Sequence, residues 1–191
     1  MNTDIKTKDR RVLRTRLALR DALISLLGEV SWDDINIQML CERANIGRST
    51  FYLHFQNKEE LLVNSFDNLR EFICAQPNIA HGKPSGSLPF VRGLIEHVDE
   101  QRTVFRAIIG KRSGHVVHKN FREMVNQLVA AEIPHAAKGW QGDASARYIS
   151  GALVELLAWW VDAGADQTGD DIEKLFYQLT LPAIKQRGEN I

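Results

Sequence analysis

The stretch GRSTFYLHFQNKEEL, Gly47 to Leu61, crowds a glycine, an arginine, two hydroxyls, a tyrosine and a histidine onto one short segment, then starts afresh with Asn-Lys-Glu-Glu. A core segment has no use for so many polar tips, and a plain surface segment has no use for Phe51 and Phe55. On a helix that starts near Arg48, Phe51 and Phe55 lie four residues apart and share the inner face, with Ile46 placed to pack beneath them. Arg48, Ser49, Thr50, Leu53 and His54 then point outward. Asn57-Lys58-Glu59-Glu60 has the form of a capping box in which Glu60 reaches back. Leu61, Leu62, Phe66, Leu69, Phe72 and Ile73 supply the apolar face of the helix that it opens.

Upstream, the spacing of Leu19, Ala22, Leu23, Leu26, Leu27 and Val30 predicts a long amphipathic helix, with Leu13 and Leu17 ahead of it and Gly28 and the Ser31-Trp32-Asp33-Asp34 cluster at its end. Asn36 is placed to cap a second helix with the face Ile37, Leu40, Cys41 and Ala44. Asn45 suits the left-handed residue that ends such a helix. Two short helices joined by a tight turn and laid on a long one make a helix-turn-helix, whose second member fits the major groove. In that arrangement Arg48 reads guanine edges, and Ser49 and Thr50 serve base or phosphate. Leu53 offers apolar contact to a thymine methyl, and the rings of Tyr52 and His54 suit phosphate oxygens. Lys58, at the first turn of its helix, and Asn36 and Gln38, at the first turn of theirs, stand where free N–H groups and the helix dipole favour an anion.

These residues resemble a known family. From about Arg14 to Phe66, and most closely through INIQMLCERANIGRSTFYLHFQNKEELL, the chain is similar to the DNA-binding domain of TetR-family transcriptional regulators. Asn36, Phe51, Tyr52, His54, Phe55, Lys58 and Leu61 fall on that family's pattern. The resemblance implies phosphate contacts for Tyr52, His54 and Lys58, base contacts from the Arg48–Thr50 end, a homodimer, and a C-terminal domain that varies to suit an effector. The chain departs from the pattern in having Asn45 where glycine is usual, Gly47 in place of a serine-like cap, and Cys41 where a smaller residue is common.

Ala75 to Pro89, AQPNIAHGKPSGSLP, carries three prolines, two glycines and two serines and reads as a connection. It divides the chain into a helix-turn-helix DNA-binding domain, 1–75, and a helical domain for effector binding and dimerisation, 76–191. Helices are expected over Leu88–Gln101, Thr103–Lys111, Val116–Ile133, Ala144–Ala163 and Asp170–Gln186, so the fold class is all-α. Ala146 to Ala165 is apolar nearly all round, as a helix buried in its own domain or shared with a partner subunit would be. Thr168-Gly169-Asp170-Asp171 signals the start of the last helix, and Pro182 is expected to kink or end it. Leu153, Leu156, Trp160, Leu175 and Leu179 are the candidate dimer interface, although the core of a monomeric bundle accounts for the same pattern. Phe90, Leu94, His97, Phe105, Phe121, Met124 and Tyr177 are a candidate effector pocket, or simply core. His115 and His118 have a spacing that can hold a metal, but no further ligand joins them, so neither metal nor cofactor is expected.

The remaining composition constrains partners. Net charge is zero over 191 residues, yet residues 1–20 hold seven basic side chains (Lys6, Lys8, Arg10, Arg11, Arg14, Arg16 and Arg20) against Asp4 and Asp9. Such an arm attracts phosphate or simply stays solvated. Two cysteines provide no disulfide framework, and no run of eighteen apolar residues is present to span a membrane, so a cytoplasmic protein is expected. The chain holds no G-x-S-x-G, H-E-x-x-H, phosphate-loop or C-x-x-C motif, and no enzyme is expected. The resulting expectation is a homodimeric repressor on a near-palindromic double-stranded operator, released by a small-molecule effector. The alternative is a DNA-bound coactivator or adaptor whose C-terminal domain binds another protein.

Overall fold

The computed structural model describes residues 3–75, 88–109, 114–132, 139–163 and 166–185, with side chains from residue 10 to residue 180 within those ranges. The side chains of Lys6, Lys8, Asp4 and Asp9, and nearly all of the connection that was to separate two domains, lie outside them. The elements in order are α1 (Thr3–Leu27), α2 (Ile37–Ala44), α3 (Arg48–Tyr52), α4 (Lys58–Cys74), α5 (Phe90–Glu100), α6 (Arg102–Ile109), α7 (His115–Glu132), α8 (Trp140–Ala163) and α9 (Gly169–Lys185). The described residues contain no strand, and the fold is all-α.

Local chemistry places most of these boundaries. The Asn36 side chain accepts from the amide of Met39 at 3.0 Å and starts α2. Asn57 accepts from the amide of Glu60 at 2.8 Å, and the Glu60 carboxylate accepts from the amide of Gln56 at 2.6 Å, one residue ahead of the cap itself. At α9, Thr168 and Asp171 form a reciprocal capping box, with the Asp171 carboxylate accepting from the Thr168 amide at 3.0 Å and the Thr168 hydroxyl accepting from the Asp171 amide at 3.3 Å. The Thr168 hydroxyl, which also donates to the Asp171 carboxylate at 2.7 Å, and then the Thr168 amide hold the Asp171 carboxyl below its ordinary pKa. Asn45 ends α2 at φ 53°, ψ 49°, and the Ile46 amide closes the turn on the carbonyl of Cys41 at 2.9 Å. Helix α9 continues past Pro182 to Lys185, against the expectation that proline would end it. The carbonyl that Pro182 leaves unpaired belongs to Gln178, an exposed residue, so water can serve it.

Helices α1 to α4 form the head, with α2 packed on α1 and α3 on α2. The body is α5 to α9, in which α7 and α8 pack most extensively and α6 lies on α8. Helix α4 belongs to both, since it also packs on α7 and α5, and α1 reaches α6. One apolar core therefore runs through head and body. From it a run of rings leads to the surface, Phe66, Phe121 and Phe105 buried, then His97 half-buried and Phe72 half-exposed, with successive centroids 6.0, 5.7, 5.6 and 5.3 Å apart. A second junction lies between α1 and α2. There Trp32, buried, sits so close to Gly114 that a Cβ on the glycine would meet the Trp32 Cβ at 3.0 Å. Lys58 at the start of α4 lies 4.6 Å from the centre of the Trp32 ring and donates to the carbonyls of Trp32 and Ile35, each at 2.8 Å.

Two stability predictions follow from this packing. Asn45→Gly should leave the unfolding free energy within about 0.5 kcal/mol, whereas Asn45→Val should lower it by about 1–2 kcal/mol, because a β-branched residue resists the left-handed conformation; urea unfolding of the two variants checks this. Burial holds the His97 pKa below its ordinary 6.5, against a smaller opposing pull from Glu100. The folded chain then keeps His97 neutral at pH values where the unfolded chain is protonated. Stability should be complete above 6.5 and fall as pH drops from there toward the lower folded value. Unfolding midpoints between about pH 7.5 and 5.5 should decline less in His97→Gln than in the native chain.

Candidate nucleic-acid interface

Helix α3 has five residues and a glycine cap with no side-chain hydrogen bond, so it cannot stand by itself. Two buried rings hold it. Phe51 and Phe55 have 0% and 2% exposure, their centroids lie 6.0 Å apart, and Arg16 of α1 covers the Phe55 ring at 5.2 Å. With that face buried, the other face has one direction left. Arg48 and Ser49 are exposed, Thr50 and His54 are partly buried, and Tyr52 and Leu53 are 58% and 81% exposed. Ile46 is partly buried against the same core.

Asn36 and Gln38 lie exposed at the start of α2, next to this face. Arg48 Nη2 donates to Gln38 Oε1 at 2.5 Å, and Gln38 Nε2 donates to Glu42 Oε1 at 2.8 Å, so the two helices of the pair are tied by polar contacts as well as by core. Arg43, also on α2, grips Glu29 with both terminal nitrogens at 2.7 and 2.6 Å and donates to the Ser25 hydroxyl, which fastens α2 to the end of α1. The guanidinium pulls the Glu29 pKa below its usual value. Burial pushes the Cys41 thiol up, as suits a residue packed in the core of α2.

Lys58 differs from its expected setting. It is partly buried, and two of its three N–H donors go to the carbonyls of Trp32 and Ile35, with one left for any outside group. Its position at the first turn was legible in the sequence, but those two carbonyls belong to a loop 26 and 23 residues away. Trp32 and Glu42 were not singled out from sequence. For Glu42 a signal existed, its i, i+4 spacing from Gln38. For Trp32 there was none, because its partners come from α4 and from the α6–α7 connection. Arg10, Arg11, Arg14 and Arg16 are exposed along α1.

In the body the candidate residues separate. Leu153 and Trp160 are wholly buried within their own domain, which removes them from any interface with a second subunit. Trp160 donates to the carbonyl of Gln167 at 3.0 Å and is covered by Arg102 at 4.2 Å. Their misplacement has a plain cause, since α8 is apolar on two faces and periodicity does not tell the inner from the outer. Leu156 is partly buried, Leu175 and Leu179 are 38% and 68% exposed, and Trp159 and Tyr148 on α8 are 49% and 64% exposed. Of the seven pocket candidates, Phe90, Leu94, Phe105, Phe121 and Met124 are buried in the core, His97 is half-buried, and Tyr177 donates to the carbonyl of Leu88 at 2.8 Å. Burial raises the Tyr177 pKa to about 12, with the Glu173 charge adding to it. Among the described residues, His115 and His118 join no cluster of three metal-binding side chains, and no helix is long and apolar enough to cross a membrane.

Comparison with known proteins agrees with this geometry. The family described as bacterial regulatory proteins, tetR family, matches residues 19–64, and a transcriptional regulator C-terminal region matches residues 87–181. An uncharacterised HTH-type transcriptional regulator of Bacillus subtilis is 48% identical over 58 residues, 30% of this chain and 15% of that protein. The tetracycline repressor protein class A from transposon 1721, of Escherichia coli, is 30% identical over 111 residues, 58% of this chain and 48% of that protein. The matched stretches thus span about half or less of these curated relatives. A TetR transcriptional regulator from Streptococcus agalactiae superposes with a TM-score of 0.66 at 22% identity, over 92% of this chain and 98% of that one. NalD of Pseudomonas aeruginosa, the secondary repressor of a multidrug efflux pump, superposes with a TM-score of 0.62 at 15% identity, over 92% and 96%. Those two likenesses establish the fold. Together with the two family matches, which span most of the sequence, they lead to one conclusion: the chain belongs to the TetR family of helix-turn-helix, DNA-binding transcriptional regulators.

Proposed function

We propose that the chain acts as a homodimeric, sequence-specific repressor that a small-molecule effector releases from its operator. The observation that carries the DNA-binding part of this reading is the division of α3 and the turn that continues it to Phe55, with Phe51 and Phe55 sealed in the core and Arg48, Ser49, Tyr52 and Leu53 open on the other side. In the bound state Arg48 meets a guanine edge, Ser49 and Thr50 meet base or phosphate, and Leu53 covers a thymine methyl. Tyr52 and His54 hold the phosphates beside the groove. Asn36 and Gln38 flank them from α2, and the first turn of α4, with the third donor of Lys58, receives another phosphate. The name of the Escherichia coli relative supports repression as the sign of control.

Two heads on one palindrome require a dimer. The surface that suits it is the exposed apolar stripe of α8, with Tyr148, Ala152 and Trp159, beside Leu156, Leu175 and Leu179. Tyr148, Ala152 and Trp159 recur at helical spacing and lie on one side of α8. The effector site proposed is the ring-lined core between α4, α5 and α6, entered where half-exposed Phe72 and half-buried His97 meet. A ligand there would shift the population of head orientations through α4 and through the Trp32–Gly114 contact, rather than block the DNA face.

Binding to duplex DNA should weaken steeply with salt. Against that background, Tyr52→Ala should lower affinity for all sequences alike, by about tenfold, while Arg48→Ala should flatten the preference at one base pair per half-site by about 1–3 kcal/mol. Binding isotherms on an operator selected from randomised duplexes, and on its single-pair variants, measure both; normal binding by these variants would sink the assignment. Trp159→Glu and Leu179→Glu should yield monomers in sedimentation with weakened operator binding. Leu153→Ala should instead lose about 2–5 kcal/mol of folding stability, because its side chain fills the core of its own subunit.

A further inference from the structure

We propose that Glu42 is a positioning residue for sequence choice, acting on the groove-facing arginine through Gln38; this rests on the reading of Arg48 as a base-contacting residue. Gln38 and Glu42 are one helical turn apart on α2, and Arg48 opens α3 across the Asn45 turn. The Gln38 amide bridges them, with its Nε2 donating to Glu42 Oε1 at 2.8 Å and its Oε1 accepting from Arg48 Nη2 at 2.5 Å.

The orientation of that amide is chemically forced. A guanidinium only donates and an ionised carboxylate only accepts, so one end of the amide suits each partner and a flipped amide suits neither. Without Glu42 the Gln38 side chain is held at one end only and can swing to other rotamers, so the guanidinium loses its fixed bearing. With Glu42 the guanidinium is steered by a single acceptor. It keeps its second Nη2 hydrogen and both on Nη1 for an end-on pair of bonds to guanine O6 and N7. A long, rotamer-rich side chain held before binding also has less entropy to lose on reaching the base. Glu42 itself, an acceptor-only group, is disfavoured next to phosphates. Its contribution is therefore to geometry rather than to attraction.

Full-length protein tests this on the operator selected from randomised duplexes, with dissociation constants measured for every single-pair variant. The native chain should prefer the base pair opposite Arg48 by about 5- to 150-fold, and Arg48→Ala should abolish that preference. Glu42→Ala should cut it by about threefold or more, and Gln38→Ala should do likewise. Glu42→Gln keeps an acceptor and should retain the preference. Both Glu42 variants remove the same charge, so they should change non-specific binding and its salt dependence equally. Equal loss of preference in Glu42→Ala and Glu42→Gln, or loss in neither, overturns the relay and leaves the Arg48 reading standing. If Arg48→Ala itself changes no base-pair preference, the Arg48 reading fails, and the relay with it.

Discussion

A recognition helix of five residues has almost no stability of its own, and everything at the proposed DNA face depends on the two phenylalanines that hold it. Phe51 and Phe55 are buried at adjacent turns, and removing an aromatic ring from such a site costs roughly 3–5 kcal/mol, the lost transfer free energy plus the cavity left behind. That energy fixes the helix in position and in rotation about its own axis. The rotation matters more for function. It decides that Tyr52 and Leu53 face outward, and that Arg48 lies within reach of Gln38. A helix anchored by one ring could roll; one anchored by two rings four residues apart cannot roll without exposing one of them.

The same economy of contacts joins head to body. Lys58 combines a ring contact with two carbonyl bonds to close the α1–α2 loop onto the first turn of α4, and Trp32 on that loop is pressed against Gly114 of the body. Helix α4 then carries the connection onward through Phe66, which meets Phe121 of α7. The cap of α4 at Asn57 and the loop ahead of α2 are consequently part of one packed unit with the body. A densely packed unit of this kind shifts between discrete arrangements more readily than it deforms by degrees. A lysine committed to such a clamp is a structural residue first, whatever phosphate its remaining donor meets.

Much of this was legible in the amino-acid sequence, for local reasons. Asn36, Asn57 and Thr168 start their helices because a short polar side chain needs only the amides two or three residues ahead of it. Asn45 ends its helix because the left-handed conformation is a property of the residue itself. The inward placing of Phe51 and Phe55 follows from a spacing of four and from the polar residues between them. Less legible were contacts whose partners are distant in the chain. The periodicity of α8 marks Leu153, Leu156, Trp159 and Trp160 as alike, yet Trp160 is sealed by Arg102 and Gln167 while Trp159 is half-exposed. Pro182, expected to stop α9, does not, because the break falls where solvent can satisfy it.

By itself, then, the sequence determined the all-helical class, the capped starts of α2, α4 and α9, the helix-turn-helix and its two anchoring rings, since each depends on residues within about one or two helical turns. Only the tertiary structure decided which side of α8 is open, where the ammonium of Lys58 goes, and how Glu42, Gln38 and Arg48 line up across a turn. Those outcomes depend on which surfaces meet in space, and a buried face and an exposed face of equal hydrophobicity look the same until the rest of the chain has covered one of them.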